Sequence, residues 1–189
     1  RTLNSMKNSV AEKEKKVFDS LKGIFKYKNA MASPRLTKIS VSSGVGTLIK
    51  KDKHKGEFVA LRLAEITGQR PVPRGAKKAI ASFKSRQGEI IGYSTTLRGK
   101  RMYSFLDKLL NVALPRTRDF RGISPKIIDD MGNLTISIKE NNIFPEAANE
   151  ELKNVFGFAV TIVSTAKNKT EALAFFKHLG VPFKEEQGK

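Results

Sequence analysis

With 189 residues and 39% hydrophobic content, the chain can bury one good core or two small ones, and a single domain spanning 1–189 is expected. Its formal net charge of +18, from 36 Lys and Arg against 18 Asp and Glu, exceeds what solubility requires and points to a polyanionic partner. The lack of Cys excludes a disulfide framework, a thiolate zinc site and a Cys nucleophile, and no apolar run approaches the ~20 residues that would span a membrane.

The charge is uneven along the chain. Residues 1–100 hold 23 basic and 7 acidic side chains, whereas 101–189 hold 13 and 11, so the N-terminal half is expected to face the anion. Residues 1–9 lack the apolar core of a secretory signal and read as an extended arm, and 184–189 read as a flexible tail. The chain opens on Arg1 rather than Met, which leaves a processed N-terminus open.

Taken in order, Val10, Val17, Leu21 and Ile24 recur at helical spacing with Lys13, Lys15, Lys16 and Lys22 outside, which predicts one amphipathic helix ended before Pro34. From Leu36 to Val45, Ile39, Val41 and Ser43 alternate with Lys38, Ser40 and Ser42, the period of a half-buried strand. Gly44-Val-Gly46 reads as a turn, because a dinucleotide fingerprint would need a further Gly where Ile49 stands. Lys50 to Lys55 reads as a basic loop. Val59, Leu63 and Ile66, reinforced by Phe58 and Leu61, predict a second helix stopped at Gly68.

Thr67 to Gly88 carries Arg70, Arg74, Lys77, Lys78, Lys84 and Arg86 and no acid, with three Gly and two Pro against a regular helix, and so predicts a cationic loop. Ile80–Arg86 and Ile90–Arg98 look like a hairpin, with Ile91, Tyr93, Thr95 and Leu97 on one face and Ser94, Thr96 and Arg98 on the other. Met102, Phe105, Leu106, Leu109, Leu110 and Ala113 define the strongest helix, stopped by Pro115. Arg116, Arg118 and Arg121 then lie in an irregular segment whose guanidinium forks suit phosphate, with Asp119 as a candidate internal partner. Leu134-Ile136-Ile138 and Phe158-Val160-Ile162 predict two more strands, joined by a long connection over 141–156 that reads as a protruding loop. Asn168 and Glu171 have the spacing of a capping box for a last helix ending at Gly180.

These elements predict an α+β fold with a mainly antiparallel five-stranded sheet, helices packed on one face, and a polar, basic RNA-binding surface on the other. Lys38, Ser40, Ser42, Ser94, Thr96 and Arg98 would share that surface, and small hydroxyls among cations suit RNA backbone and 2′-hydroxyls better than base stacking. Phe83 and Tyr93 are the only aromatics on these central strands, which falls short of an aromatic stacking platform. Catalysis is poorly supported: His54 sits among lysines, His178 lies near a helix end, and neither has a nucleophile partner fixed by sequence. Asp129-Asp130 has no third acid nearby and makes a poor metal site. No metal and no cofactor is expected. The alternatives to a structural RNA-binding protein are an RNA-modifying or processing enzyme and a free RNA chaperone.

The chain resembles the bacterial-type family of the fifth protein of the large ribosomal subunit, whose members bind 5S rRNA. The resemblance is carried by Ile39-Ser-Val-Ser-Ser-Gly-Val-Gly46, Ile66-Thr-Gly-Gln-Arg-Pro71, Ala81-Ser-Phe-Lys-Ser-Arg-Gln-Gly88, Thr95-Thr-Leu-Arg-Gly-Lys-Arg-Met102, Leu114-Pro-Arg-Thr-Arg-Asp-Phe-Arg-Gly122 and Ile143-Phe-Pro-Glu146, in order over about 11–183. It implies a non-enzymatic component of the central protuberance that anchors 5S rRNA with large-subunit rRNA beside neighbouring proteins, in a cytoplasmic or organellar ribosome. It also implies 5S rRNA contacts at Ser42, Gln69 and Thr96. Ser42 replaces the family's Asn and has lost the amide's reach and second donor, so a bridging water is the expected repair. By the same resemblance Arg74 to Ser82, including Lys77 and Lys78 and with Phe83 just beyond, is the loop near peptidyl-site tRNA, and 141–156 meets a protein of the small-subunit head. Lys84, Arg86, Arg116, Arg118 and Arg121 are left for further rRNA.

Overall fold

A computed structural model describes residues 9–184 other than 53, 83, 119 and 149–154. Its strands are β1 (Leu36–Gly44), β2 (Val72–Gly75), β3 (Ile90–Leu97), β4 (Leu134–Ile138) and β5 (Phe158–Ser164). They form one five-stranded antiparallel sheet in the order β2-β3-β1-β5-β4, so the fold is α+β as the pattern predicts. Strict alternation carries β4 and β5: Leu134, Ile136 and Ile138 are buried between exposed neighbours, as are Phe158, Val160 and Ile162 between half-buried ones. In β1 the alternation starts at Lys38, with Ile39, Val41 and Ser43 buried.

The helices are α1 (Val10–Lys15), α2 (Val17–Phe25), α3 (Gly46–Lys51), α4 (His54–Thr67), α5 (Gly99–Lys108) and α6 (Lys169–Leu179). By its internal contacts the chain divides into two units. The first comprises residues 1–39, 98–136 and 161–189, and holds α1, α2, α5 and α6. Here the expected single N-terminal helix is two, because the chain bends at Lys16 (φ −90°, ψ −2°). The bend lets both pieces dock: on α1 the Val10 N–H donates to Asp107 Oδ1 at 2.9 Å and Glu14 Oε1 accepts the Leu36 N–H at 2.7 Å, while α2 packs on α6.

All six apolar residues expected on α5 and its continuation are buried. The α-helix gives way at Leu109–Ala113 to a wider π turn, in which Leu114 N–H reaches back to Leu109 O, and then to a 3₁₀ turn containing Pro115. Pro115 offers no N–H, so the α ladder cannot run through it. On α6 the capping box is half formed. Asn168 makes no side-chain capping bond, whereas the buried Glu171 accepts the Lys167 N–H at 2.7 Å and the Tyr27 hydroxyl. Phe175 and Phe176 are fully buried behind it, each worth about 1.5–3 kcal/mol of apolar transfer.

The second unit comprises residues 40–97 and 137–160 and holds α3 and α4. Val59, Leu63 and Ile66 are buried as expected, and α4 packs on β3 and on the turn at Pro145–Ala147. Several expectations are corrected here. Gly46 opens α3 rather than closing a turn, and the 50–55 stretch is the junction of α3 and α4 instead of a loop. Leu61 and Ile91 lie outside the core, 66% and 40% exposed, since α4 and β3 each bury too narrow a stripe to include them. Ile80–Arg86 is no strand: a single bridge joins Ile80 to Ser85 across a tight turn, and β2 holds the sheet edge instead. The start of the 141–156 connection does not protrude either. Asn141, Ile143, Phe144 and Ala147 are buried in two 3₁₀ turns, and Asn141 Oδ1 accepts the Phe156 N–H at 3.3 Å.

Candidate nucleic-acid interface

Within the second unit, strand parity builds the polar face. Thr95 and Leu97 point into the core from β3, which turns Gly92, Ser94 and Thr96 the other way, and Val41 and Ser43 do the same for Ser40 and Ser42 on β1. Ser42 is exposed, while Ser40, Ser94 and Thr96 are half-buried. Gly92 is a glycine that close approach demands. A Cβ there would lie 2.9 Å from the Ser43 carbonyl oxygen of the neighbouring strand.

At the edge of the sheet β2 runs antiparallel to β3, with Val72 opposite Ser94, Pro73 opposite Tyr93 and Arg74 opposite Gly92, and an irregularity between Arg74 and Gly75. Pro73 is tolerated because an edge strand leaves one row of N–H groups unused. The register places Arg74 on the same face as Ser94, and its Nε donates to Ser94 Oγ at 2.6 Å. Arg74 was expected on the tRNA-side loop, but it belongs to the sheet. The signal for β2 lay in Pro71-Val-Pro-Arg, since a residue before proline is driven toward extended backbone.

Gln69 reaches β3 from the C-terminal end of α4, where Gly68 takes a left-handed φ of +68° and the Thr67 hydroxyl bonds the Leu63 and Gln69 carbonyls. Gln69 Nε2 donates to Thr96 O at 3.2 Å. A carbonyl can only accept, so this contact fixes the amide's orientation and leaves Gln69 Oε1 as its acceptor. The face thus offers hydroxyls, one oriented amide and one tethered guanidinium, a donor set for phosphate and ribose rather than for base stacking.

The loop between β2 and β3 is closed at its base by Ala76 N–H to Glu89 O at 2.8 Å and Gly88 N–H to Ala76 O at 2.9 Å. Beyond that base Lys77, Lys78, Ser82 and Lys84 are exposed, and Lys84 has a positive φ of 48°. Arg86 is exposed too, its N–H bonded to Glu89 Oε2 at 3.0 Å. Phe83 lies outside the described residues.

In the first unit, Lys38 is half-buried on β1, Arg98 is exposed at the N-cap of α5, and Arg116, at the end of the 3₁₀ turn, is exposed like Arg118 and Arg121 in the irregular backbone beyond. Asp119, their expected partner, is outside the described residues. The candidates for chemistry other than RNA binding have structural roles or none. His54 is exposed, His178 Nε2 lies 2.8 Å from Lys13 O, and Asp129 accepts both the backbone and side-chain N–H of Asn133.

Comparison with known proteins supplies the remaining evidence. Residues 29–86 match the family model described as "Ribosomal protein L5", and residues 90–183 match the model for the C-terminus of the same ribosomal family. The chain is 50% identical over 161 residues to "Large ribosomal subunit protein uL5" of Acaryochloris marina, covering 85% of this chain and 88% of that protein. Its counterparts in Ureaplasma urealyticum and Trichlorobacter lovleyi are 46% and 47% identical, over 92% and 90% of this chain and 94% and 95% of theirs. This sheet, with its hydroxyl-lined face and basic loop, therefore belongs to a member of the ribosomal protein L5 (uL5) family.

Proposed function

We propose that the chain, a structural, non-enzymatic and rRNA-binding constituent of the large ribosomal subunit, holds 5S rRNA on the polar face of its sheet. Lys and Arg neutralise phosphates, while Ser42, Gln69 and Thr96 fix the register of the RNA on the face. The observation that carries this reading is the oriented Gln69 amide beside the exposed hydroxyl face, because a fixed acceptor distinguishes one ribose or base edge from another where free lysines cannot. Lys38 and Arg98, in the first unit, would also bind 5S rRNA. The relatives are bacterial, so we place the chain in the cytoplasmic ribosome.

The 76–85 loop, with Lys77, Lys78 and Ser82 exposed, would reach peptidyl-site tRNA. Lys84, Arg86 and the Arg116–Arg121 segment would meet further large-subunit rRNA, which joins 5S rRNA and neighbouring proteins in the central protuberance. The small-subunit head would be met at the exposed Pro145 and Ala148 and the residues that follow, the earlier part of that connection being packed. The decisive experiment is a competition at a salt concentration where non-specific binding has faded. The protein should select 5S rRNA over an unrelated RNA of equal length, and equal affinity for both would sink the reading.

A further inference from the structure

We propose that Arg74 is a phosphate ligand of the sheet face and that Ser94 acts as its positioning residue rather than as an RNA contact in its own right. This rests on the rRNA-binding reading above and assigns one charge within it. Arg74 stands opposite Gly92, which has no side chain to compete for the space, and its stem crosses toward β3 until Nε meets Ser94 Oγ at 2.6 Å. Nε is the inner nitrogen of the guanidinium. Tethering it leaves Nη1 and Nη2 of the exposed side chain as a two-pronged donor, which can grip two oxygens of one phosphate.

Two further observations favour a ligand over a solvated edge charge. Arg62 on the same unit is neutralised by Glu65 at 2.7 Å and lies over the Phe58 ring, whereas Arg74 has no carboxylate partner among the described residues. Ser94 meanwhile gives one lone pair to a charged donor, so its oxygen is turned toward Arg74 before any RNA arrives. A cation without a carboxylate partner among the described residues, held in one orientation on the sheet face, suits a polyanion whose phosphates and riboses alternate.

The test measures affinity for 5S rRNA, and its dependence on salt, for the full chain and its variants. Arg74→Gln should weaken binding roughly ten-fold and lower the slope of log affinity against log salt by about 1. Ser94→Ala should weaken binding roughly five-fold with the slope unchanged, because no charge is lost. Ser94→Thr, which keeps the oxygen, should recover it, and the double variant should bind no worse than Arg74→Gln alone. A further loss on adding Ser94→Ala to Arg74→Gln would make Ser94 a direct contact, and an unchanged slope in Arg74→Gln would remove Arg74 from the phosphates. Indifference of the wild type to RNA identity would defeat the 5S reading alone, and the slope change at Arg74, read on any RNA bound, would still uphold phosphate ligation.

Discussion

Thr95 shows what one hydroxyl can cost. It lies 3% exposed on the core side of β3, and its Oγ1 has no hydrogen-bond partner. Replacing it with Val removes the unsatisfied oxygen at nearly constant volume, so Thr95→Val should be neutral or should stabilise the fold by about 1 kcal/mol in urea unfolding. A clear loss would mean that the hydroxyl is satisfied after all. Tyr103 makes the opposite case: burial, and then a hydrogen bond and charge repulsion from Glu14, push its phenol from 10.0 up to about 12. Since the folded value is the higher one, this stabilisation is fully present below pH 10 and is lost as pH rises toward about 12. Phenolate absorbance should therefore show late-ionising tyrosine past pH 10 in the native chain but not in urea, and Tyr103→Phe should remove the step near 12 while leaving a later one, because burial and Glu171 raise the Tyr27 phenol as well. At this scale the parity of Ser40, Ser42, Ser94 and Thr96 was legible in the sequence, because alternation alone decides which way each residue points. The tether from Arg74 to Ser94 was not legible, since it depends on a cross-strand register that no local pattern encodes.

Among the elements, α6 separates sequence spacing from the bond actually made. A true N-cap is worth about 0.5–2 kcal/mol, but Asn168 makes no side-chain bond while Glu171 ties α6 to Lys167 and to Tyr27. Asn168→Ala should change stability by less than about 0.5 kcal/mol, whereas Glu171→Ala should cost about 2–3 kcal/mol; thermal or urea unfolding would show the reverse order if the box closed in the usual way. The same contrast explains which elements could be read beforehand. β1, β3, β4 and β5 alternate, and α4 and α5 repeat at helical spacing, so burial wrote them into the residue order. β2 has no buried side chain at all, being an exposed edge strand, and so left no hydrophobic pattern to find. α3 is short and begins at a glycine, which reads as a turn until Val45 is seen buried beside it.

Over the whole molecule, the net charge of +18 draws the chain to RNA, and on the proposed reading the sheet face decides which RNA it keeps. Charge was visible from composition, but its division between face and loop was not, because Arg74 and Lys77 are three residues apart in sequence and belong to different structures. The two can be separated by one measurement, the affinity for 5S rRNA at raised salt of Ser42→Asp compared with the double variant Lys77→Gln, Lys78→Gln. Ser42 is exposed, so the new carboxylate meets the RNA without disturbing the core. Ser42→Asp should lose roughly ten-fold or more in affinity and the loop variant should stay within roughly three-fold of wild type; a loop variant that fails to bind while Ser42→Asp binds normally would contradict the assignment of 5S rRNA to the sheet.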